Sequence, residues 1–202
     1  MFKGITIPDS ISSQENYKRK YNFFEMYYAF TQLPGALVKL IKNKRKQLIS
    51  EQFVERLQLA VTEVNACAAC SYAHTSMALK TGINAEEISS MLSCSTEFII
   101  PEEAKAIFFA QNFAENRGKP EKETYQSIVE YYGYEKAEII LAACRVMIAG
   151  NIYGLPFSAL QSRKNGKPYK NSSLLFELTM LIGGVLVLPF ALLHGLLKTL
   201  VY

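Results

Sequence analysis

Two of the four cysteines and one of the two histidines in this 202-residue chain lie in the segment Cys67-Ala-Ala-Cys70-Ser-Tyr-Ala-His74. Cysteines three positions apart at the start of a helix can form a disulfide with little movement of the backbone. The positive end of a helix also favours a thiolate over a thiol. His74 follows Cys70 by four residues, so in a helix the imidazole and the sulfur share a face. A base beside such a thiol activates a sulfur nucleophile, and the segment therefore predicts redox chemistry.

Two physical arguments disagree about which sulfur is the nucleophile. In many Cys-x-x-Cys helices the first cysteine has the lower pKa, which favours Cys67. His74 favours Cys70 instead, because general-base assistance contributes about 10²–10⁴ to a rate. We take Cys70 as the nucleophile on the strength of His74, and Cys67 remains the alternative.

The same residues allow two interpretations without redox chemistry. Cysteines near a histidine are in some proteins only small buried side chains. On one uninterrupted helix, a stripe of potential zinc ligands would also form from Glu63, Cys67, Cys70 and His74. A straight stripe about 16 Å long does not surround a tetrahedral ion, which argues against a structural zinc module.

The segment around the cysteines resembles a known family over about forty residues. Residues 51–88, EQFVERLQLAVTEVNACAACSYAHTSMALKTGINAEEI, are similar to the core motif of the AhpD-like alkyl hydroperoxidases, in the carboxymuconolactone decarboxylase superfamily. The family pattern has a glutamate twelve residues before the first cysteine, which is Glu55 here, then Asn-x-Cys and Cys-x-x-Cys-x-x-x-His. One departure is Ala69, where the family often has an aromatic residue or histidine. A weaker likeness continues to about residue 170.

This resemblance implies a thiol-dependent peroxidase that reduces alkyl hydroperoxides without a metal or cofactor. Cys70 would attack the peroxide, His74 would relay its proton, Glu55 would orient His74, and Cys67 would close the disulfide. The implied partners are a hydroperoxide substrate, a dihydrolipoyl or thioredoxin-like dithiol donor, and further copies of the chain in a trimer or hexamer. A decarboxylase of the same superfamily is the alternative, although that branch generally lacks the cysteine pair.

The elements that must position these residues are two consecutive helices. Asn65 is a good N-cap, which predicts that the motif helix begins near Ala66 and that the helix over 51–64 ends before it. Periodicity alone places Glu55 off the apolar stripe of that first helix and predicts a surface glutamate. Only the resemblance moves Glu55 into the site. A break before the motif also favours Glu55 over Glu63 as the partner of His74.

Helical periodicity recurs throughout the chain, and half of the residues are hydrophobic. We therefore predict an all-α fold of seven to nine helices, with a helical domain over 1–170 and an apolar helical appendage over 171–202. An aromatic-rich helix over 13–32 should end at Pro34, which should open a second helix. Residues 135–155 are apolar on nearly every face and predict a central helix. Cys94 and Cys144 are interpreted as ordinary buried or incidental residues.

The C-terminal tail and the charge bear on location. Residues 178–197 contain no Asp, Glu, Lys or Arg, and as one helix would span about 30 Å, enough for a bilayer. Gly183, Gly184 and Pro189 argue instead for two shorter helices in a hairpin, packed on the domain or on another copy of the chain. The first twenty residues lack the apolar run of a signal peptide, which predicts a cytoplasmic protein, with membrane contact through 174–202 as an open alternative. A net charge of +4, scattered among acids, does not indicate nucleic-acid binding.

Overall fold

The structure, a computed structural model, describes residues 13–93, 95, 97, 98 and 100–201. Within these residues the chain forms eight helices and no strand, which confirms the all-α prediction. In chain order they are α1 (Phe23–Lys46), α2 (Glu51–Asn65), α3 (Ala68–Thr81), α4 (Ala85–Leu92), α5 (Pro101–Glu115), α6 (Lys122–Tyr132), α7 (Tyr134–Lys164) and α8 (Leu174–Val201). Cys94 lies outside the described residues.

Local sequence signals explain several of the helix ends. The side chains of Ser50 and Asn84 cap α2 and α4, each accepting a hydrogen bond from the backbone N–H three residues further on. Pro101 occupies the first position of α5, where its missing N–H is not needed. Gly82 ends α3 in the left-handed region, with φ of 92°.

The centre of the fold is α7, which packs against α1, α2, α3, α5, α6 and α8. Its fully buried side chains include Ile139, Ile140, Met147, Ile152 and Leu155. The predicted central helix is therefore present and is covered largely by the subunit itself. It runs further than predicted, to Lys164, so the polar linker before α8 is limited to residues 165–173.

The prediction of two helices separated at Pro34 is wrong, because α1 continues through it. Pro34 cannot donate the hydrogen bond that a helix interior requires. The helix packs closely at this point, since α8 presents Gly195 against the Thr31 carbonyl and the Pro34 ring, where a Cβ would have no room. The helix also begins only at Phe23, after a non-helical segment.

The predicted apolar C-terminal helical segment is present, but its hairpin form is wrong, because α8 is one continuous helix. The glycines of α8 allow it to pack closely against its neighbours and do not break the helix. A Cβ on Gly183 would lie 2.7 Å from the ring of Phe23, and a Cβ on Gly184 would lie 2.8 Å from the ring of Tyr153. Small residues that let helices approach closely thus seat α8 against α1 and α7.

Two helices among the described residues are long and apolar enough to cross a membrane, by length and composition alone. In α7 the most apolar stretch is 72% buried inside the fold, as expected of a core helix. In α8 the corresponding stretch is only 22% buried, so most of its apolar surface faces outward.

Candidate redox site

A tight turn between α2 and α3 places the cysteine pair. Ala66 adopts the left-handed conformation, with φ of 51°, and Cys67 is the N-cap of α3. The predicted break before the motif is present, but the prediction that Asn65 caps the motif helix is wrong. Asn65 is the last residue of α2, and its buried side chain accepts a hydrogen bond of 2.7 Å from the hydroxyl of Tyr21. That bond fixes the end of α2 to the segment before α1.

Cys67 and Cys70 form a disulfide, with their Cα atoms 5.3 Å apart. The sulfur of Cys67 also accepts a hydrogen bond from the backbone N–H of Cys70, at 3.3 Å, and so satisfies one free donor of the helix start. Both cysteines are buried, but not equally. Cys67 is 0% exposed, whereas Cys70 is 8% exposed. Of the two residues, Cys70 is therefore the one that keeps some contact with solvent.

The structure brings Glu55 and His74 together. Nδ1 of His74 lies 3.0 Å from Oε2 of Glu55, and both side chains are mostly buried. When Nδ1 carries its proton it donates to this carboxylate, which leaves Nε2 free to accept a proton. His74 is four residues after Cys70 on α3, so its ring shares the face of that sulfur.

Glu55 is buried, contrary to the surface position that periodicity predicted. The reason is that α2 packs against α3, α4, α5 and α7 at once. An element enclosed on most sides has no solvent-facing row, and its buried polar residues also include Arg56, Gln58 and Thr62. The helical period of apolar residues therefore does not show which polar residues of α2 face the interior.

Glu63, the rival acid, has a different partner. Its carboxylate forms an ion pair of 3.3 Å with Lys18. The break at Ala66 places Glu63 on α2, so it does not continue the row of Cys67, Cys70 and His74 along α3. Among the described residues, no group of three or more His, Cys, Asp or Glu side chains is arranged to hold a metal ion.

A stripe of small residues on α7 contacts the disulfide, and our sequence reasoning missed it. The Cys70 sulfur lies 3.6 Å from the carbonyl oxygen of Gly150. A Cβ on Gly154 would lie 2.6 Å from that sulfur and 2.8 Å from the sulfur of Cys67. Ser158 accepts a hydrogen bond of 3.1 Å from the backbone N–H of Ala69. The signal was present as Gly150-x-x-x-Gly154-x-x-x-Ser158 within an apolar helix.

A cleft of about 660 Å³ opens beside the cysteine pair. It lies between the first turns of α3, from which Ala68, Ala69 and Tyr72 contribute, and the end of α7. The small side chain of Ala69, where the sequence departs from the family pattern, thus forms part of its wall. Lys167 and Tyr169 from the linker close the other side.

Cys144 takes no part in this site. It is fully buried in α7, and burial raises the pKa of its thiol far above the ordinary range. A thiol that stays protonated is a poor nucleophile. The prediction that Cys144 is an ordinary buried residue is confirmed.

No family model matches the chain, and no curated protein and no solved structure matches it.

Proposed function

We propose that the protein is a thiol-dependent peroxidase of the AhpD-like type, which reduces alkyl hydroperoxides through Cys70 and Cys67. The observation that carries the proposal is the buried contact of His74 with Glu55, next to a cysteine pair that closes a disulfide. A buried carboxylate that fixes an imidazole one helical turn from a thiol is the arrangement that thiol activation requires. The resemblance of residues 51–88 to the AhpD-like motif supports the same function.

The reaction begins with the reduced pair. His74 accepts the proton of Cys70, and Glu55 stabilises the imidazolium that results. The thiolate attacks the terminal oxygen of the hydroperoxide, the O–O bond breaks, and the leaving alkoxide takes the proton from His74 and departs as an alcohol. Cys70 is now a sulfenic acid. The thiol of Cys67 condenses with it, releasing water and forming the disulfide.

An external dithiol then restores the pair, since the two cysteines have given two electrons to the peroxide and must regain them. Its thiolate attacks the Cys70 sulfur, which is the more exposed of the two, and a mixed disulfide forms before the donor leaves oxidised. The cleft bounded by Ala69 and Lys167 gives such a donor a place beside the pair. The resemblance suggests a dihydrolipoyl or thioredoxin-like donor.

We also propose that the protein acts in the cytoplasm and contacts a membrane surface through residues 174–202. The outward face of α8 carries exposed Leu175, Ile182, Leu186, Phe190 and Leu197. Its other face is packed on α1 from Gly183 to Thr199, so the helix would lie in the plane of the membrane and not cross it. Assembly into a trimer or hexamer is proposed from the resemblance.

The test is hydroperoxide consumption by the purified protein with a dithiol donor, with the state of Cys67 and Cys70 followed by mass spectrometry. We expect Cys67→Ser to retain a sulfenic acid at Cys70 that a dimedone-type probe labels. Cys70→Ser should give no labelled sulfenic acid at Cys67. The proposal would be defeated if the wild-type protein showed no turnover and formed no reducible disulfide.

A further inference from the structure

A second cavity shares none of the residues that line the cysteine cleft. It has a volume of about 390 Å³ and is formed between α1, α7 and α8. Its walls include Phe30 and Leu33 from α1, Val146 from α7, and Val185 and Leu188 from α8. Every lining residue is apolar, aromatic or glycine. Its size falls within the usual range of small-molecule sites, about 300–1,000 Å³.

The single hydroxyl among the residues that line the cavity already forms a hydrogen bond within the protein. Tyr153 donates a hydrogen bond of 3.3 Å from its hydroxyl to the backbone carbonyl of Leu181. The ring of Tyr153 therefore contributes its apolar face to the cavity. Since no side chain there offers a charge or a free polar group, the cavity favours a hydrocarbon occupant over a polar one.

Gly150 connects this cavity with the redox site. It lines the cavity, and its carbonyl oxygen is 3.6 Å from the Cys70 sulfur. A Cβ built on Gly150 meets nothing within 4 Å, so the position opens onto free space. Gly150 therefore belongs both to the cavity wall and to the contacts of the sulfur that we propose as the nucleophile, whereas Cys70 itself is not among the residues that line the cavity.

The cavity also opens onto the exposed face of α8. Val185, on its wall, is 60% exposed and lies beside Leu186 on the outward face of α8. A chain that enters the cavity beside Val185 meets no charged residue of α8 there, because residues 178–197 contain none.

We propose that this cavity binds the acyl chain of the substrate, and that the substrate class is therefore long-chain lipid hydroperoxides. The inference rests on the proposed peroxidase function and adds the substrate to it. The apolar chain occupies the space between α1, α7 and α8, and the hydroperoxide group lies at the Gly150 end. Cys70 takes the terminal oxygen and becomes a sulfenic acid, a hydroxy lipid leaves, and a dithiol supplies the two electrons that restore the pair.

A matched pair of variants tests the cavity. Val185→Phe narrows it, whereas Ile182→Phe adds the same side chain to the same exposed face of α8, three residues away and off the cavity wall. The measured quantity is the ratio of kcat/KM for linoleic acid hydroperoxide to kcat/KM for hydrogen peroxide, with dithiothreitol as the donor. We expect Val185→Phe to lower this ratio at least tenfold and Ile182→Phe to leave it within twofold of wild type. An equal ratio in all three proteins would overturn the inference.

A binding measurement separates this inference from the peroxidase proposal. The fluorescence of cis-parinaric acid reports acyl-chain binding to the disulfide form, in which no turnover occurs. We expect wild type and Ile182→Phe to bind the probe equally and Val185→Phe to bind it at least tenfold more weakly. Unchanged binding in Val185→Phe would overturn the cavity assignment even if hydrogen peroxide is consumed. Binding that follows this pattern without consumption of either peroxide would overturn the peroxidase and the substrate class, and leave only an acyl-chain site.

Two forms of the substrate distinguish its source. Linoleic acid hydroperoxide below its micellar concentration represents a soluble fatty acid, and phosphatidylcholine hydroperoxide in vesicles represents a bilayer. Turnover of the vesicle substrate that Val185→Phe impairs would assign the membrane as the source. The same pattern with the free acid alone would assign a soluble lipid. Either result supports binding of the acyl chain in the cavity. A kcat/KM for both lipid hydroperoxides that does not exceed the kcat/KM for hydrogen peroxide would overturn it.

Discussion

Gly154 offers a direct test of how closely α7 packs on the cysteine pair. Replacement by alanine places a Cβ 2.6 Å from the Cys70 sulfur and 2.8 Å from the Cys67 sulfur, well inside an ordinary carbon contact of about 3.5 Å or more. Both sulfurs are held at the rigid start of α3, so the added atom must displace α7 or the turn before α3. Overpacking of this kind costs about 1–3 kcal/mol.

Gly150→Ala is the matched control. It lies one turn earlier on the same helix, and its Cβ meets nothing within 4 Å. Both substitutions gain the same helix propensity, about 1 kcal/mol relative to glycine, so that contribution cancels between them. The difference between the two alanine variants is then the overpacking cost alone. For a chain of this length it corresponds to a gap in Tm of about 2–12 °C.

The assay is thermal and urea unfolding of both variants, in the disulfide form and after reduction. We expect Gly150→Ala to equal or slightly exceed the stability of wild type and Gly154→Ala to fall below Gly150→Ala. The gap should be smaller after reduction, because a free Cys70 side chain can turn away from the new Cβ. Equal stability of the two variants in the disulfide form would refute the proposed close contact between α7 and the pair.

Three further predictions concern the acid, an ion-pair network and the outward face of α8. Glu55→Gln should lower peroxidase activity about 10²-fold, near the lower end of general-base contributions, and should shift thiol alkylation by iodoacetamide to higher pH. Glu63→Gln should leave the activity and the alkylation profile unchanged. The opposite pattern would mean that Glu63, and not Glu55, is the acid of the relay. Arg56 contacts Glu87 at 2.6 Å and Glu103 at 3.2 Å, and burial raises the pKa of Glu103 although Arg56 opposes the shift. Arg56→Met should therefore lower the free energy of unfolding at pH 7 by up to about 3 kcal/mol. This loss of stability should shrink as the pH falls and Glu103 takes up a proton, and a loss that does not depend on pH would contradict the prediction. Replacing both Leu186 and Phe190 by Asp should abolish co-sedimentation with anionic vesicles. The same change at Phe108 and Tyr131, a comparably exposed pair, should leave co-sedimentation intact. If the Leu186 and Phe190 variant instead loses a soluble oligomer, the outward face of α8 is a contact between copies of the chain.

The parts of the fold that can be predicted from the sequence are those set by local chemistry. The ends of α2, α3, α4 and α5 follow from the caps Ser50 and Asn84, from Gly82 and from Pro101, each of which acts within one turn. The pairing of Cys67 with Cys70 and the shared face with His74 also depend only on helical spacing. Such features need no knowledge of the tertiary packing.

The errors arise where packing overrides a local preference. Pro34 and Gly183 read as helix breakers, but α1 and α8 support each other through the contacts of Gly195 and Gly183. Glu55 was predicted at the surface by periodicity because α2 was assumed to have an exposed side, whereas four helices enclose it. Gly154 was missed for a related reason. Its role depends on the closeness of two helices that are far apart in sequence.

The structure also sharpens the choice between the two sulfurs. The N-cap position and the hydrogen bond from the Cys70 N–H act on Cys67, and these are the contacts that would favour a thiolate there. Cys70 is the more exposed residue, at 8% against 0% for Cys67, and it lies one turn from the His74–Glu55 pair. A nucleophile must reach its substrate, whereas a resolving thiol needs only to reach its neighbour, which is 5.3 Å away between Cα atoms. A fully buried Cys67 is therefore suited to close the disulfide, and the helix start helps it to do so as a thiolate. We propose on these grounds that Cys70 attacks and Cys67 resolves. A labelled sulfenic acid at Cys67 in Cys70→Ser would mean that the turn before α3 opens enough to admit a peroxide.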